Sequence, residues 1–140
     1  EQDLNEQYTW GCFGSSISGA DGTSIGTGYQ NTLDIVSGCS ENPIAASEVI
    51  LYESSGFTDW YLPSKDELVE MYNTIGNGGA QGNIGNFVNM WYWSSSESSS
   101  HISWGTHFND GYTLDDGKQG SNRVRPIRGW FRERRCVGSS

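Results

Sequence analysis

The chain has 140 residues, only 34% of them hydrophobic, yet it carries six Trp, seven Tyr and five Phe and a net charge of −9. This length is one domain, large enough to bury roughly two-thirds of its unfolded surface. Sixteen acids against a single base, Lys65, in residues 1–117 exclude nucleic acid over most of the surface, and no apolar run approaches the ~20 residues that cross a bilayer.

In chain order, the start at Glu1 without Met is expected of a processed or excised piece whose export signal is gone. Residues 1–7 read as a polar lead-in and Tyr8-Thr9-Trp10 as a short strand. The stretch 14–28 is rich in Gly, Ser and Thr without periodicity, which predicts a long surface loop. Gly22, Gly26 and Gly28 do not form a GxGxxG phosphate loop. Tyr29, Leu33 and Val36 stand at helical spacing and predict a helix over 29–36, stopped by Gly38. Pro43 suits the first turn of a second helix over 44–54. Ser64 and Glu67 form a capping box that opens a third helix over 65–75 with Leu68, Met71, Tyr72 and Ile75 on its apolar face. Gly76 ends it, and 76–90 connect to the aromatic stretch.

From Trp91 onward, aromatic residues alternate with small polar ones. Trp91 and Trp93 share one strand face, as do Ile102, Trp104 and Phe108, leaving the opposite faces small and polar. Asn109-Asp110-Gly111 is a tight-turn signal, so 102–108 pair with 112–115. Residues 117–122 read as a loop and 123–128 as a last strand, at an edge or ending at Pro126, which lacks an N–H. These elements predict a loop-rich α+β fold: a small twisted antiparallel sheet with two to three helices, one domain over 1–128, and a basic tail over 129–140 whose Trp130 and Phe131 pack back on the sheet.

Three cysteines allow at most one internal bridge. Cys12 and Cys39 each follow a Gly in a similar setting, and pairing them contributes about 3–4 kcal/mol in the chain-entropy model and implies an oxidising compartment. Cys136 is then a free thiol or an intermolecular link. Arg123, Arg125 and Arg128 either pair with nearby carboxylates or form the one basic surface.

Convergent reactive groups are hard to find. His101 and His107 share strand parity but lie too far apart to clamp one metal, and no thiol pair stands at zinc spacing. No G-x-S-x-G elbow exists. Glu97 and Asp110 have no better standing as a glycosidase pair than any two of seventeen acids. Asp110, Asp115 and Asp116 are hard oxygen ligands of the type calcium prefers. What remains is a surface: Ser99, Ser100, His101, Ser103, Thr106, His107, Asn109, Tyr112, Leu114, Asp115, Gln119, Ser121 and Asn122. Tyr, Ser and Asn make adaptable recognition faces, and the alternative is that these are ordinary solvent-facing positions.

WYLPSKDEL, YWSSSE, the Trp104/Phe108/Gly111 spacing and the closing NRVRPIR together resemble the bacterial surface domains named after the Lcl C-terminal domain, over residues 10–128. These are similar to the major-paralogous domains and share a C-type-lectin-like fold. A narrower resemblance is to the variable proteins of diversity-generating retroelements, which keep a scaffold like Trp93-Ser94-Ser95, Trp104, Phe108, Gly111 and Val124-Arg125-Pro126 and change exposed residues between. The resemblance implies a non-enzymatic domain, extracellular or on the cell surface, that binds a protein or glycan on another cell or matrix and can form a homo-oligomer. It implies no resident cofactor: of the calcium-dependent sugar motifs, Glu41-Asn42-Pro43 has the wrong order and Phe108-Asn109-Asp110 lacks the Trp, leaving calcium a minority reading. Formylglycine-generating enzymes share the fold type but use a cysteine pair not offered here. In the family a strand usually precedes Tyr8 and pairs near the C-terminus. Its absence raises the alternative of an appendage subunit assembled by strand donation.

Overall fold

Residues 2–129 are described by a computed structural model, in which three helices and two small antiparallel sheets make an α+β fold. The expectations for Trp130, Phe131 and Cys136 lie outside the described residues. The elements are β1 (Tyr8–Thr9), α1 (Gly28–Gly38), α2 (Ala45–Leu51), α3 (Lys65–Ile75), β2 (Trp91–Glu97), β3 (Ile102–His107), β4 (Thr113–Gly117) and β5 (Ser121–Asn122). One sheet has the order β2-β3-β4 and the other pairs β1 with β5.

Helix α3 forms over the predicted residues because its N-terminus is fully capped. The Ser64 hydroxyl accepts from the Glu67 N–H, and the Glu67 carboxylate accepts from the Ser64 N–H at 2.8 Å. Glu67 does more than cap, since it is fully buried and its second oxygen accepts from the Gly26 N–H at 2.7 Å, holding the 14–28 loop against the helix. Burial holds the Glu67 carboxyl above the usual range, against the smaller downward pull of the donors at Ser64, Gly26 and Gly28.

Helix α1 is longer than expected, and its buried face is Gly28, Asn31, Thr32 and Ile35, while Leu33 and Val36 are exposed. Polar pairing sets this phase. Asn31 donates to the Gly22 carbonyl and to Ser95 Oγ, and Thr32 Oγ1 accepts from the Leu62 N–H. Helix α2 is shorter than the predicted 44–54, since Ile44 is its N-cap and Pro43 precedes it.

Strand β2 departs from alternation as well: Tyr92 through Ser96 are all buried. It is covered on both faces. Trp93 packs with Trp10, Ile44 and Val124 on one side, its Nε1 donating to the Tyr8 carbonyl, and Tyr92 packs with Phe87, Phe108, Leu68 and Met71 on the other. The serines fit there because their hydroxyls reach backbone: Ser94 to the Trp104 carbonyl, Ser95 to Pro63 and Ser96 to Gly22.

The predicted hairpin forms, with Thr106 opposite Thr113 and Ile102 opposite Gly117. The predicted strand over 123–128 does not. Arg123 makes a parallel bridge to Tyr92 and Ile127 an antiparallel bridge to Tyr61, with Pro126 between them unable to donate. The chain thus leaves β4 at one edge, crosses, and returns along the far edge of β2. There Leu4 donates to the Val124 carbonyl, so the lead-in lies beside the closing segment. Arg125 pairs with Asp3 at 2.7 Å and Arg128 with Asp59 at 2.8 Å. Asp3 also accepts from the Tyr92 hydroxyl at 2.6 Å.

Cys12 and Cys39 form the expected disulfide, tying α1 to the segment after β1. Replacing both by Ser is expected to lower the unfolding free energy by about 3–4 kcal/mol, read by urea denaturation; unchanged melting under reductant would contradict it. Burial, and then Asp3, push the Tyr92 hydroxyl well above the usual tyrosine range. The folded state therefore keeps a proton that the unfolded chain loses, so stability falls as pH rises above about 10. Urea unfolding between pH 9 and 11 should show this fall, less steep in Tyr92→Phe.

Candidate recognition face

The register of the three-stranded sheet sorts the candidate residues by face. Trp91 lies opposite His107, and Gly105 opposite Leu114, so these share a face, which Tyr112, two residues before Leu114, continues. At the Glu97 end this face is covered by the crossover 118–122 and the segment after β1. At the Trp91 end it is open.

The open end is an aromatic and aliphatic platform. The Trp91 and His107 rings meet edge to face, centroids 5.1 Å apart. Tyr112 is 61% exposed and Leu114 is exposed beside it. Gly105 sits beneath: a Cβ there would lie 2.9 Å from the Tyr92 carbonyl and 3.8 Å from the Trp91 ring. The turn that presents Tyr112 is held locally, Asp110 accepting from the Tyr112 N–H and His107 Nδ1 from the Asn109 N–H.

The structure does not bring all the predicted residues together. Ser103, Thr106 and Asn122 are 0%, 1% and 8% exposed and present no free surface. Ser103 stands between Glu97 and Asp116 in register, under the crossover that binds both of those carboxylates. Thr106 faces the α3 side, its hydroxyl 2.9 Å from that of Thr113. Asp115 is on that same opposite face, across from Trp104, and accepts from Ser98. Ser99, His101 and Gln119 are exposed at the far end of the sheet, about 20 Å along β3 from His107. His107, Asn109, Tyr112 and Leu114 form one group, to which the structure adds Trp91.

The three carboxylates with calcium chemistry do not converge. Asp115 and Asp116 alternate across the sheet, Asp110 lies in the turn, and each already accepts from a neighbour. Cys12, Cys39 and Glu41 do lie within 4.8 Å of one another, but both sulfurs are spent in the disulfide.

Sequence reasoning missed Lys118. Its side chain is fully buried, 2.6 Å from Glu97 and 3.0 Å from the Ser15 carbonyl, and its ammonium lies over the Trp10 ring. The signal was its isolation: with Lys65 it is one of two bases in the first 118 residues. Lys65 is engaged too, 3.7 Å from the Trp104 centroid.

The fold and this surface define a class: a small disulfide-tied α+β domain that displays an open hairpin face on a polar-packed scaffold. The family model for the Lcl C-terminal domain matches residues 2–128, and the chain belongs to that family of surface or secreted domains. No curated protein matches the chain. Among the described residues no helix is long and apolar enough to cross a membrane.

Substituting Tyr112→Ser or Leu114→Ser is expected to change stability by no more than about 0.5 kcal/mol, as for surface positions. Gly105→Val, which forces a side chain against backbone, should cost about 1–3 kcal/mol. Urea unfolding of the three variants checks both.

Proposed function

We propose that this chain is an extracellular binding domain of C-type-lectin-like fold, non-enzymatic, whose ligand contacts the open sheet face at Trp91, His107, Asn109, Tyr112 and Leu114. The observation that carries this reading is the platform over Gly105, with Tyr112 and Leu114 exposed and Trp91 and His107 half-buried beside them. Such amphipathic rings give contact area at low entropic cost, and Tyr112 and Leu114 belong to neither buried core cluster.

Electrostatics narrows the ligand. Of the five bases in residues 2–129, Lys118, Arg125 and Arg128 are in ion pairs and Lys65 lies against Trp104, while fifteen acids share the same span. A polyanion such as nucleic acid or a sulfated glycan would be repelled. The partner is a protein or a glycan without strong negative charge, bound without a resident cofactor.

Separation of face from scaffold is also what a diversified receptor needs, and this supports reading the chain as a variable protein. The rival reading, an appendage subunit that takes a donated strand, is weakened because β1 already pairs with β5 and Leu4 with Val124. The test is a panel of glycans and cell-surface proteins, run with and without chelator. Binding should survive chelator and be lost in Trp91→Ala and Tyr112→Ala; a ligand held equally well by both variants would overturn the proposed face.

A further inference from the structure

An open cleft of about 220 Å³ lies at the opposite end of the domain, lined by Thr9, Gly11, Phe13, Glu41, Lys118 and Gln119. Its walls are tied to the rest of the fold by covalent and backbone hydrogen bonds. The Cys12–Cys39 disulfide fixes the segment that carries Phe13, the Gly14 N–H donates to the Ser100 carbonyl at 2.8 Å, and the Trp10 and Gly11 N–H groups both donate to the Lys118 carbonyl. Phe13 meets His101 edge to face at 4.8 Å and still leaves half its surface exposed. A half-exposed phenyl ring beside a polar cleft offers a flat apolar face for stacking.

The polar groups around it have unspent capacity. One Glu41 oxygen accepts from the Cys12 N–H at 3.1 Å, and the other makes no hydrogen bond within the described residues. The side chains of Thr9 and Gln119 make none there either. The cleft thus offers a carboxylate acceptor, a hydroxyl and an amide around one aromatic face. Among the described residues that line it, the one cation, Lys118, is turned away, with its ammonium on Glu97 and Ser15.

From this set we propose that the cleft binds one uncharged sugar ring, its C–H face on Phe13 and its hydroxyls on Glu41, Gln119 and Thr9. An anionic sugar would face Glu41 with no free cation among the described lining residues to meet it. The cleft is also smaller than the roughly 300–1,000 Å³ of pockets that enclose drug-sized ligands, which limits it to one ring-sized unit. The site is independent of the sheet face.

The experiment is saturation-transfer NMR on the native chain with the methyl glycosides of glucose, galactose, mannose and N-acetylglucosamine. Glucuronate and N-acetyl-lysine amide serve as charged controls. At least one neutral glycoside should give transfer, with a dissociation constant on the order of millimolar. Gln119→Ala should weaken it about tenfold, the worth of one good hydrogen bond, and Phe13→Ala should abolish it. Tyr112→Ala should leave it unchanged. Amide spectra confirm that each variant is folded, and the exposed Gln119 gives a second reading should Phe13→Ala loosen its loop. Transfer to no neutral glycoside, or to a charged control alone, would overturn the proposal. So would loss in Tyr112→Ala with retention in Phe13→Ala, which would move the sugar to the sheet face.

Discussion

The ion pair between Lys118 and Glu97 is the constraint on which the rest of the structure depends. Taking both charges out of water costs several kcal/mol per ion, and a 2.6 Å contact offsets that only where the remaining hydrogen-bonding capacity is also used. Here it is used. The ammonium reaches the Ser15 carbonyl and the Trp10 ring, and the same Glu97 oxygen accepts from the Ile17 N–H at 2.8 Å. The backbone of Lys118 completes the tie, donating to His101 and accepting from Trp10 and Gly11. Through one residue the end of β2, the start of β3, the end of β4 and the segment after β1 are held together.

This arrangement explains why the domain has one closed end and one open end. Around Lys118 the chain crosses over the sheet and buries Ser103 and Trp93. Away from it, β3 and β4 continue into a turn that carries little of the packing. Phe108 is the exception, buried with Phe87 and Tyr92 on the opposite face, and it anchors the turn so that Tyr112 and Leu114 are displayed in a fixed place. Scaffold and display are thereby separated within a few residues of one another.

Much of this was legible in the sequence. The bounds of α3 follow from Ser64 and Glu67, the hairpin from Asn109-Asp110-Gly111, and the disulfide from the settings of Cys12 and Cys39. What was not legible shares one cause. Hydrophobic periodicity assumes that buried positions are apolar, and here Asn31, Thr32, Ser94, Ser95 and Ser96 are buried with hydrogen-bond partners outside their own helix or strand, such as Gly22 for Ser96. Hence α1 turned out in a different phase, and β2 did not alternate. Ser103 and Thr106 were assigned to the recognition surface for the same reason, since a small polar side chain on a strand reads as exposed. The pairing of Arg125 with Asp3 and of Arg128 with Asp59 was anticipated as one alternative; the burial of Lys118 had no local signature beyond its rarity.

The most direct test of this account is a double-mutant cycle on Lys118 and Glu97, measured by urea unfolding of Lys118→Met, Glu97→Gln and the pair together. Each single change should cost about 3–5 kcal/mol, because it strands a buried charge or its partners, and the double variant should cost clearly less than the sum. If either single change cost under about 1 kcal/mol, as for a solvent-exposed pair, or if the two costs simply added, the closed end would not be organised by this ion pair and the account would fail.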